Sequence, residues 1–174
     1  MSPDNPHTPE NDRSAFQPIS IVPVGVVRGG RTEPRDDSWG REEASIELDP
    51  ARFGPDALRG LDDFSHIDVV FVFHLRDPSS EVTGARRPRG VQGLPEVGIF
   101  AQRASGRPNR IGVSTCELLG VEGTSVAVRG LDAVEGTPVL DLKPHMQSMG
   151  PRGAVREASW VGEVMQNYWD PPAL

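Results

Sequence analysis

The strongest constraint on the fold is the run of residues 66–75, in which apolar side chains occupy every second position. Successive side chains of a β-strand point to opposite faces, so one face of this run is continuously apolar. That face comprises Ile67, Val69, Phe71, Phe73 and Leu75. We expect it to pack in the core. The other face is polar at both ends, which places His74 at a pocket or a subunit interface.

Shorter segments with a similar pattern predict further strands separated by turn-forming residues. They cover residues 18–27, 44–48, 111–119, 125–129 and 138–142. Pro23 indicates that the first of them lies at an edge or contains a bulge, and Glu122 and Gly123 are typical of a turn. With about seven strands and few helices, we expect a mainly β fold, a closed or nearly closed β-barrel.

Helices are predicted at only two places. Residues 51–60 are compatible with one or two helical turns ending at Gly60. Residues 159–169 predict a short amphipathic helix with Ser159 as its N-cap and with Trp160, Val164 and Tyr168 on one stripe. Residues 1–17 are rich in Pro, Asn, Asp and Ser, which predicts a flexible tail before one domain over residues 18–174.

The connection formed by residues 77–95 is long for a compact domain and is dense in Pro, Gly, Ser and Arg. It contains a strongly basic cluster of Arg86, Arg87 and Arg89. Two interpretations stay open, namely that the segment is disordered or that it is functional.

Residues 97–112 join an apolar strand to an arginine-rich loop and predict a binding site. Arg103, Arg107 and Arg110 supply three fixed charges, and Pro108 restricts the backbone around them. Guanidinium groups offer forked donors and a flat stacking face, so this loop can hold an anionic or planar group. A solvated turn with scattered arginines is the alternative.

Three blocks carry recognisable motifs in a fixed order. Residues 61–74 read L-D-D-F-S-H-I-D-V-V-F-V-F-H, residues 97–112 read V-G-I-F-A-Q-R-A-S-G-R-P-N-R-I-G, and residues 131–144 read L-D-A-V-E-G-T-P-V-L-D-L-K-P. Together they resemble the TsaA-like, or TrmO, family of S-adenosylmethionine-dependent methyltransferases. The chain departs from the usual family pattern at four positions. Gln102, Ala104, Arg110 and His145 stand where that pattern has Thr, Ser, Pro and Tyr.

The resemblance implies a fold, a cofactor and a set of contacts. The fold would be a TrmO-like single-sheeted β-barrel that binds S-adenosylmethionine at loops and is completed across a homodimer. By position, the cofactor-binding residues would be Asp37, Trp39, His74, Leu75, Arg103, Glu135, Gly136, Thr137 and Pro138. The residues at the methyl acceptor would be Arg107, Asn109, Arg110, Lys143 and His145. Packing under a loop is the alternative role for Trp39, and an ordinary hairpin turn is the alternative for residues 135–138.

The sequence predicts no particular catalytic residue and no metal site. Methyl transfer from a sulfonium depends mainly on alignment, so the lack of an acid–base constellation is no objection. His66 and His74 share a strand face but would lie about 26 Å apart, too far to share one ion. No G-x-G-x-x-G opens a helix after a strand, so a doubly wound nucleotide-binding fold has no support.

Charge and cysteine content limit the partners and the compartment. The net charge of −7 argues against broad adhesion to nucleic acid and leaves any RNA contact to a local basic patch. The single Cys116 cannot form an internal disulfide, and no apolar run predicts a signal peptide or a membrane span. We therefore expect a cytoplasmic protein without membrane or metal partners.

The leading hypothesis is methyl transfer, and the resemblance implies N6-methylation of threonylcarbamoyladenosine in tRNA. A methyltransferase that acts on a small metabolite with the same barrel is the first alternative. A non-catalytic barrel that binds RNA or a nucleotide is the second, and a structural dimer without a cofactor site is the third.

Overall fold

The structure is a computed structural model that describes residues 16–170. The predicted tail over residues 1–17 lies almost entirely outside these residues, so its flexibility stays a prediction. The strands are β1 (Gly25–Arg28), β2 (Glu43–Leu48), β3 (His66–Val72), β4 (Ala85–Arg86), β5 (Val97–Gly98), β6 (Ile111–Glu122), β7 (Ser125–Arg129) and β8 (Pro138–Pro144). The expected mainly β barrel is confirmed.

Six antiparallel strands close into the barrel in the order β1-β2-β7-β6-β3-β8, with β8 pairing back to β1. The barrel thus has six strands, against about seven expected for the sheet. Strands β4 and β5 form a separate two-stranded sheet. Closure leaves no exposed edge in the main sheet.

The interior of the barrel is filled by the alternating apolar residues. In β3, Ile67, Val69 and Phe71 are fully buried, as the pattern predicts. Phe73 packs partly against this core, whereas Leu75 is 57% exposed. Leu75 was therefore wrongly assigned to the core, because β3 ends at Val72 and the chain turns away before it.

One end of the barrel, called the upper rim below, is where β3 ends and where β6 and β8 begin. The upper rim consists of residues 73–75, 103–110 and 130–137. The register between β3 and β6 brings these segments together, because Val72 at the end of β3 pairs with Ile111 at the start of β6. Next to this pair, Gly112 lies opposite Phe71, and a Cβ at Gly112 would stand 2.5 Å from the Phe71 ring.

The first strand begins later than predicted. It starts at Gly25 instead of residue 18, and Ile19, upstream of Pro23, is 82% exposed. Gly25 fits its place because a Cβ there would lie 2.4 Å from the carbonyl oxygen of Glu47. The turn between β6 and β7 is also shifted by one residue, to positions 123–124.

Short helices connect the strands. The 3-10 helices are Pro55–Leu58, Leu61–Asp63, Pro78–Ser80, Pro88–Gly90, Ile99–Ala101, Pro108–Arg110 and Gln147–Met149. The predicted C-terminal helix is present as α1, Val161–Met165, but it is shorter than expected. Ser159 is not its N-cap, because Trp160 takes that position without a side-chain capping bond. Strand β4, which lies within residues 77–95, pairs with β5 just after that segment.

Candidate functional site

Two of the three motif blocks meet directly at the upper rim. Nδ1 of His74, just after β3, lies 3.2 Å from Oγ1 of Thr137, just before β8. The arginine loop joins them, because the backbone N–H of Phe73 donates to the carbonyl oxygen of Arg110 at 2.9 Å. Residues more than sixty positions apart in sequence are therefore in direct contact at the upper rim.

Residues 130–137 cross the end of the barrel and are not a hairpin. Strands β7 and β8 flank this segment in sequence but are not neighbours in the sheet, so the interpretation of an ordinary hairpin turn is wrong. Leu131, Ala133 and Val134 are buried, and the first two pack in the core of the barrel. Thr137 is only 2% exposed, and Gly136 takes a left-handed conformation with φ +79°.

Glu135 is held by the backbone and by an arginine on the neighbouring strand. Its carboxylate accepts a hydrogen bond from the N–H of Gly29 at 2.5 Å and lies 3.1 Å from the guanidinium of Arg28. Its own N–H donates to the carbonyl oxygen of Arg31 at 2.7 Å. Glu135 therefore fixes the crossing segment to the loop after β1.

Trp39 belongs to the early loop, residues 36–40 before β2, and is only 4% exposed. The guanidinium of Arg31 covers its ring at 4.4 Å, and its indole N–H donates to the carbonyl oxygen of Arg35 at 3.0 Å. Arg31 also donates to the carbonyl oxygens of Asp37 and Ser38. These contacts favour the packing role for Trp39.

Asp37 is tied to the segment that contains the basic cluster. Its carboxylate lies 2.7 Å from the guanidinium of Arg89, which also donates to the carbonyl oxygen of Asp36 at 2.9 Å. Ser38 and Arg89 both have positive φ, +65° and +50°. Such conformations are uncommon for residues with a side chain and persist where surrounding contacts fix them.

A half-buried carboxylate links three parts of the chain at the upper rim. Asp132 accepts hydrogen bonds from the hydroxyl of Ser114 on β6 and from the hydroxyl of Tyr168 near the C-terminal end. Burial, and then the charge of Asp132, raise the pKa of the Tyr168 hydroxyl well above its usual range, while Arg89 and Arg103 lower it slightly. Tyr168 therefore stays protonated and donates to Asp132.

The three arginines of the arginine loop make different contacts with the rest of the chain. Arg103 is exposed and donates to the carbonyl oxygen of Val113. Arg110 donates to the carbonyl oxygen of Arg76 at 2.8 Å. The guanidinium of Arg107 lies 5.9 Å from the ring of Phe100. Asn109 and Arg110 both have positive φ, +61° and +52°, so this loop is sharply bent.

Lys143 and His145 lie at the opposite end of β8 from Thr137. Eight residues of extended chain separate Thr137 from His145, or about 26 Å. Nδ1 of His145 lies 3.1 Å from Asp68, and Lys143 pairs with Asp141 at 2.5 Å, which raises the pKa of its ammonium. Within one chain, these two predicted residues are thus not brought to the upper rim.

The sequence interpretation missed the residues that hold the rim together. Arg31 and Asp132 had no assigned role, and Tyr168 was noted only for its place on a helical stripe. Asp132 lies within a recognised motif block, which was a usable signal, whereas the contacts of Tyr168 depend on tertiary packing. Over residues 16–170, no cluster of three metal-ligating side chains is present, and no helix has the length and apolar character needed to cross a membrane.

Comparison with known proteins gives a consistent result. Residues 30–150 match the model of the tRNA-methyltransferase O N-terminal domain. A probable S-adenosyl-L-methionine-binding protein of Methanothermobacter thermautotrophicus is 38% identical over 142 residues, which cover 78% of this chain and 96% of that protein. A putative S-adenosylmethionine-dependent methyltransferase of Pseudomonas aeruginosa is 36% identical over 132 residues, which cover 73% of this chain and 57% of that protein.

Solved structures agree with the sequence relatives. A crystal structure of TrmO superposes with a TM-score of 0.66 at 32% identity, covering 81% of this chain and 64% of that one. The chain thus spans nearly all of the archaeal relative but under two thirds of the bacterial protein and of the crystallised one.

Proposed function

Because this chain belongs to the family of the tRNA-methyltransferase O N-terminal domain, we propose that it transfers a methyl group from S-adenosylmethionine to an acceptor bound at the upper rim. The observation that carries the proposal is the convergence of the motif blocks. His74 contacts Thr137, and the N–H of the adjacent Phe73 donates to the carbonyl oxygen of Arg110, so all three blocks are joined there. A barrel whose motifs served only packing would not need them at one end.

The exposed groups of the upper rim fit S-adenosylmethionine. They form a smaller set of cofactor-binding residues than the one expected from the sequence. Arg103 is exposed and suits the methionine carboxylate, while Leu75 offers an exposed apolar surface to adenine. Gly136 has no Cβ to hinder close approach, and His74 lies beside it. Trp39 and Glu135 are already engaged with other parts of the chain, so we assign them to holding the site.

The protein has to align the reactants more than it has to move protons. S-adenosylmethionine would supply an electrophilic methyl group, its sulfonium would leave as a neutral thioether, and the proton of the acceptor would pass to solvent. The bent loop over residues 107–110 and the crossing segment over residues 130–137 would hold donor and acceptor in line. His74 and Thr137 would support that geometry through their mutual contact.

Arginine distribution favours tRNA over a neutral metabolite as the acceptor. Arg103, Arg107 and Arg110 have no carboxylate within 4.0 Å among residues 16–170, whereas most arginines on the barrel strands and early loop are paired. In a chain with a net charge of −7, unpaired cations concentrated on one loop suit a phosphate-bearing partner.

Labelled donor distinguishes the candidate functions. The protein is incubated with methyl-labelled S-adenosylmethionine and, in separate reactions, threonylcarbamoylated tRNA, unmodified tRNA or a small-molecule extract. Label in the threonylcarbamoylated tRNA alone supports the proposal. Label only in a small molecule favours the metabolite enzyme, and RNA binding that is indifferent to the donor favours a non-catalytic module.

We also propose that the working unit is a homodimer. Lys143 and His145 can approach an acceptor at the upper rim only from a second chain, because they lie at the far end of β8. Arg103→Ala and His145→Ala proteins are each expected to be impaired, and mixing them should restore roughly one quarter of the wild-type activity, since half of the dimers then hold one intact site. No recovery on mixing would reject a shared site.

The proposed substrate also suggests a cytoplasmic location. The free thiol of Cys116 is buried in the barrel, which is compatible with a reducing compartment. Fractionation of cells that express the protein at its natural level tests this directly.

A further inference from the structure

The segment after the family match ends is fastened to the early loop. The match stops at residue 150, yet residues 167–169 contact the early loop through three backbone hydrogen bonds. The N–H groups of Ser38, Trp39 and Gly40 donate in turn to the carbonyl oxygens of residues 167, 168 and 169, at 2.9, 2.9 and 2.6 Å. We call residues 160–170 the strap.

The approach of the strap to the loop leaves no spare room. A Cβ at Gly40 would stand 2.5 Å from the carbonyl oxygen of Trp169, so only glycine permits this contact. Ser38, the first residue of the contact, has a φ of +65°. An unsupported loop would avoid this conformation, so the strap contributes to the shape of the loop.

Tyr168 connects the strap to the upper rim. Its hydroxyl donates to Asp132 in the crossing segment, and the guanidinium of Arg89 lies 5.4 Å from its ring. Arg89 in turn holds the carboxylate of Asp37 at 2.7 Å. One side chain thus contacts both the crossing segment and the arginine that anchors the early loop.

We infer that Tyr168 is a positioning residue for the donor site, which locks the strap onto Asp132 and Arg89 and thereby fixes the early loop over residues 36–40. The inference rests on the proposed function for its consequence in binding. Its structural part does not, because loop order is measurable without any ligand. Tyr168 acts only through these neighbours.

The composition of the chain provides selective probes. Tyr168 is the only tyrosine, and the three tryptophans are Trp39 in the early loop with Trp160 and Trp169 in the strap. A 3-fluorotyrosine label therefore reports on Tyr168 alone. Tryptophan fluorescence reports on the docking of the strap against the loop.

The test compares Tyr168→Phe and Tyr168→Ala with wild type in the full chain. Thr115→Val is the matched control, because it also removes a hydroxyl that donates to a carboxylate, Asp68, on the side of the barrel. We expect Tyr168→Phe to weaken S-adenosylmethionine binding about tenfold, and Tyr168→Ala to weaken it further. Thr115→Val should bind as wild type does. Far-UV circular dichroism in urea follows the stability of the barrel in each protein.

The rate parameters and amide exchange separate positioning from general destabilisation. With Tyr168→Phe, the KM for the donor should rise while kcat changes by less than about threefold. Amide exchange at Ser38, Trp39 and Gly40 should accelerate in Tyr168→Ala, with β3 and β6 unaffected. Unchanged donor affinity in both variants, or exchange that accelerates equally in the barrel strands, would overturn the inference.

Failure of the proposed function gives a different pattern. If the wild-type protein does not bind S-adenosylmethionine, the proposed function is wrong, and the exchange data alone decide the role of Tyr168. Faster exchange confined to the early loop then supports positioning by the strap. Unchanged exchange there rejects it.

Discussion

Gly112 offers the sharpest test of how the arginine loop is joined to the barrel. A Cβ at this position would stand 2.5 Å from two atoms of the Phe71 ring, whereas carbon atoms pack at about 3.5–4.0 Å. Phe71 is fully buried and packs edge-on against Phe73 at 5.1 Å, so its ring cannot swing into solvent. Overpacking a core in this way lowers the free energy of unfolding by about 1–3 kcal/mol. Because the Phe71 ring cannot move aside, we expect the effect of Gly112→Ala to lie in the upper half of that range.

The same strand contains a matched control. Gly120 also lies in β6, but a Cβ there would meet nothing within 4 Å, so Gly120→Ala should change the free energy of unfolding by less than about 0.5 kcal/mol or stabilise slightly. Urea denaturation of both variants, followed by circular dichroism, gives the comparison. Equal stability of the two variants would refute the packing argument.

A double mutant identifies the cause of the loss. Phe71→Leu alone destabilises the barrel because it leaves a cavity, but it also opens space for a methyl group at position 112. The combination with Gly112→Ala should therefore be less destabilised than the sum of the single changes, by at least about 1 kcal/mol. Strict additivity would show that the alanine acts through the backbone instead of the ring.

Three further outcomes are expected. Arg103→Ala should weaken donor binding by about 1.5–3 kcal/mol in calorimetry, the value for a charge-assisted hydrogen bond, and unchanged affinity would reject its contact. Burial, and then the charges of Asp132 and Asp68, raise the pKa of Cys116 to about 12, so the unfolded thiol ionises first. Stability should therefore fall between about pH 9 and pH 12, by up to about 1.4 kcal/mol per pH unit, and urea titrations of Cys116→Ala should show a shallower fall. Gln102→Thr should lower the free energy of unfolding, measured in urea, by about 1–3 kcal/mol, because two carbonyl oxygens lose their hydrogen-bond donor. The methyl acceptor should not change.

The barrel could be predicted from sequence because its information is local. Alternation identified the buried face of β3 at Ile67, Val69 and Phe71, and the turn between β6 and β7 was located within one residue. The first strand was overextended because residues 18–24 are as apolar as a strand. Only the pairing of β1 with β2 and β8 shows that it begins at Gly25.

The candidate site was only partly predictable, because its contacts join distant parts of the chain. The motif blocks brought His74, Thr137 and Arg103 into consideration, and the structure gathers them at one end. It could not be read from sequence that Glu135 is engaged by Gly29, or that Trp39 is covered by Arg31. Motif similarity selects residues that matter, but it does not separate those that face a ligand from those that hold the loop.

The departures from the family motif have different physical meanings. Gln102 is 6% exposed, and its amide donates at 2.9 Å to the carbonyl oxygens of both Arg86 and Val97. Its side chain therefore joins β4 to β5 and is not available to a methyl acceptor. Arg110 replaces a proline, yet its φ of +52° is closed to proline, whose ring fixes φ near about −65°. A relative with proline at this position cannot follow the same backbone path. If this chain methylates a different acceptor from its relatives, the changed backbone path of the loop over residues 107–110 would therefore contribute as much as the positive charge of Arg110.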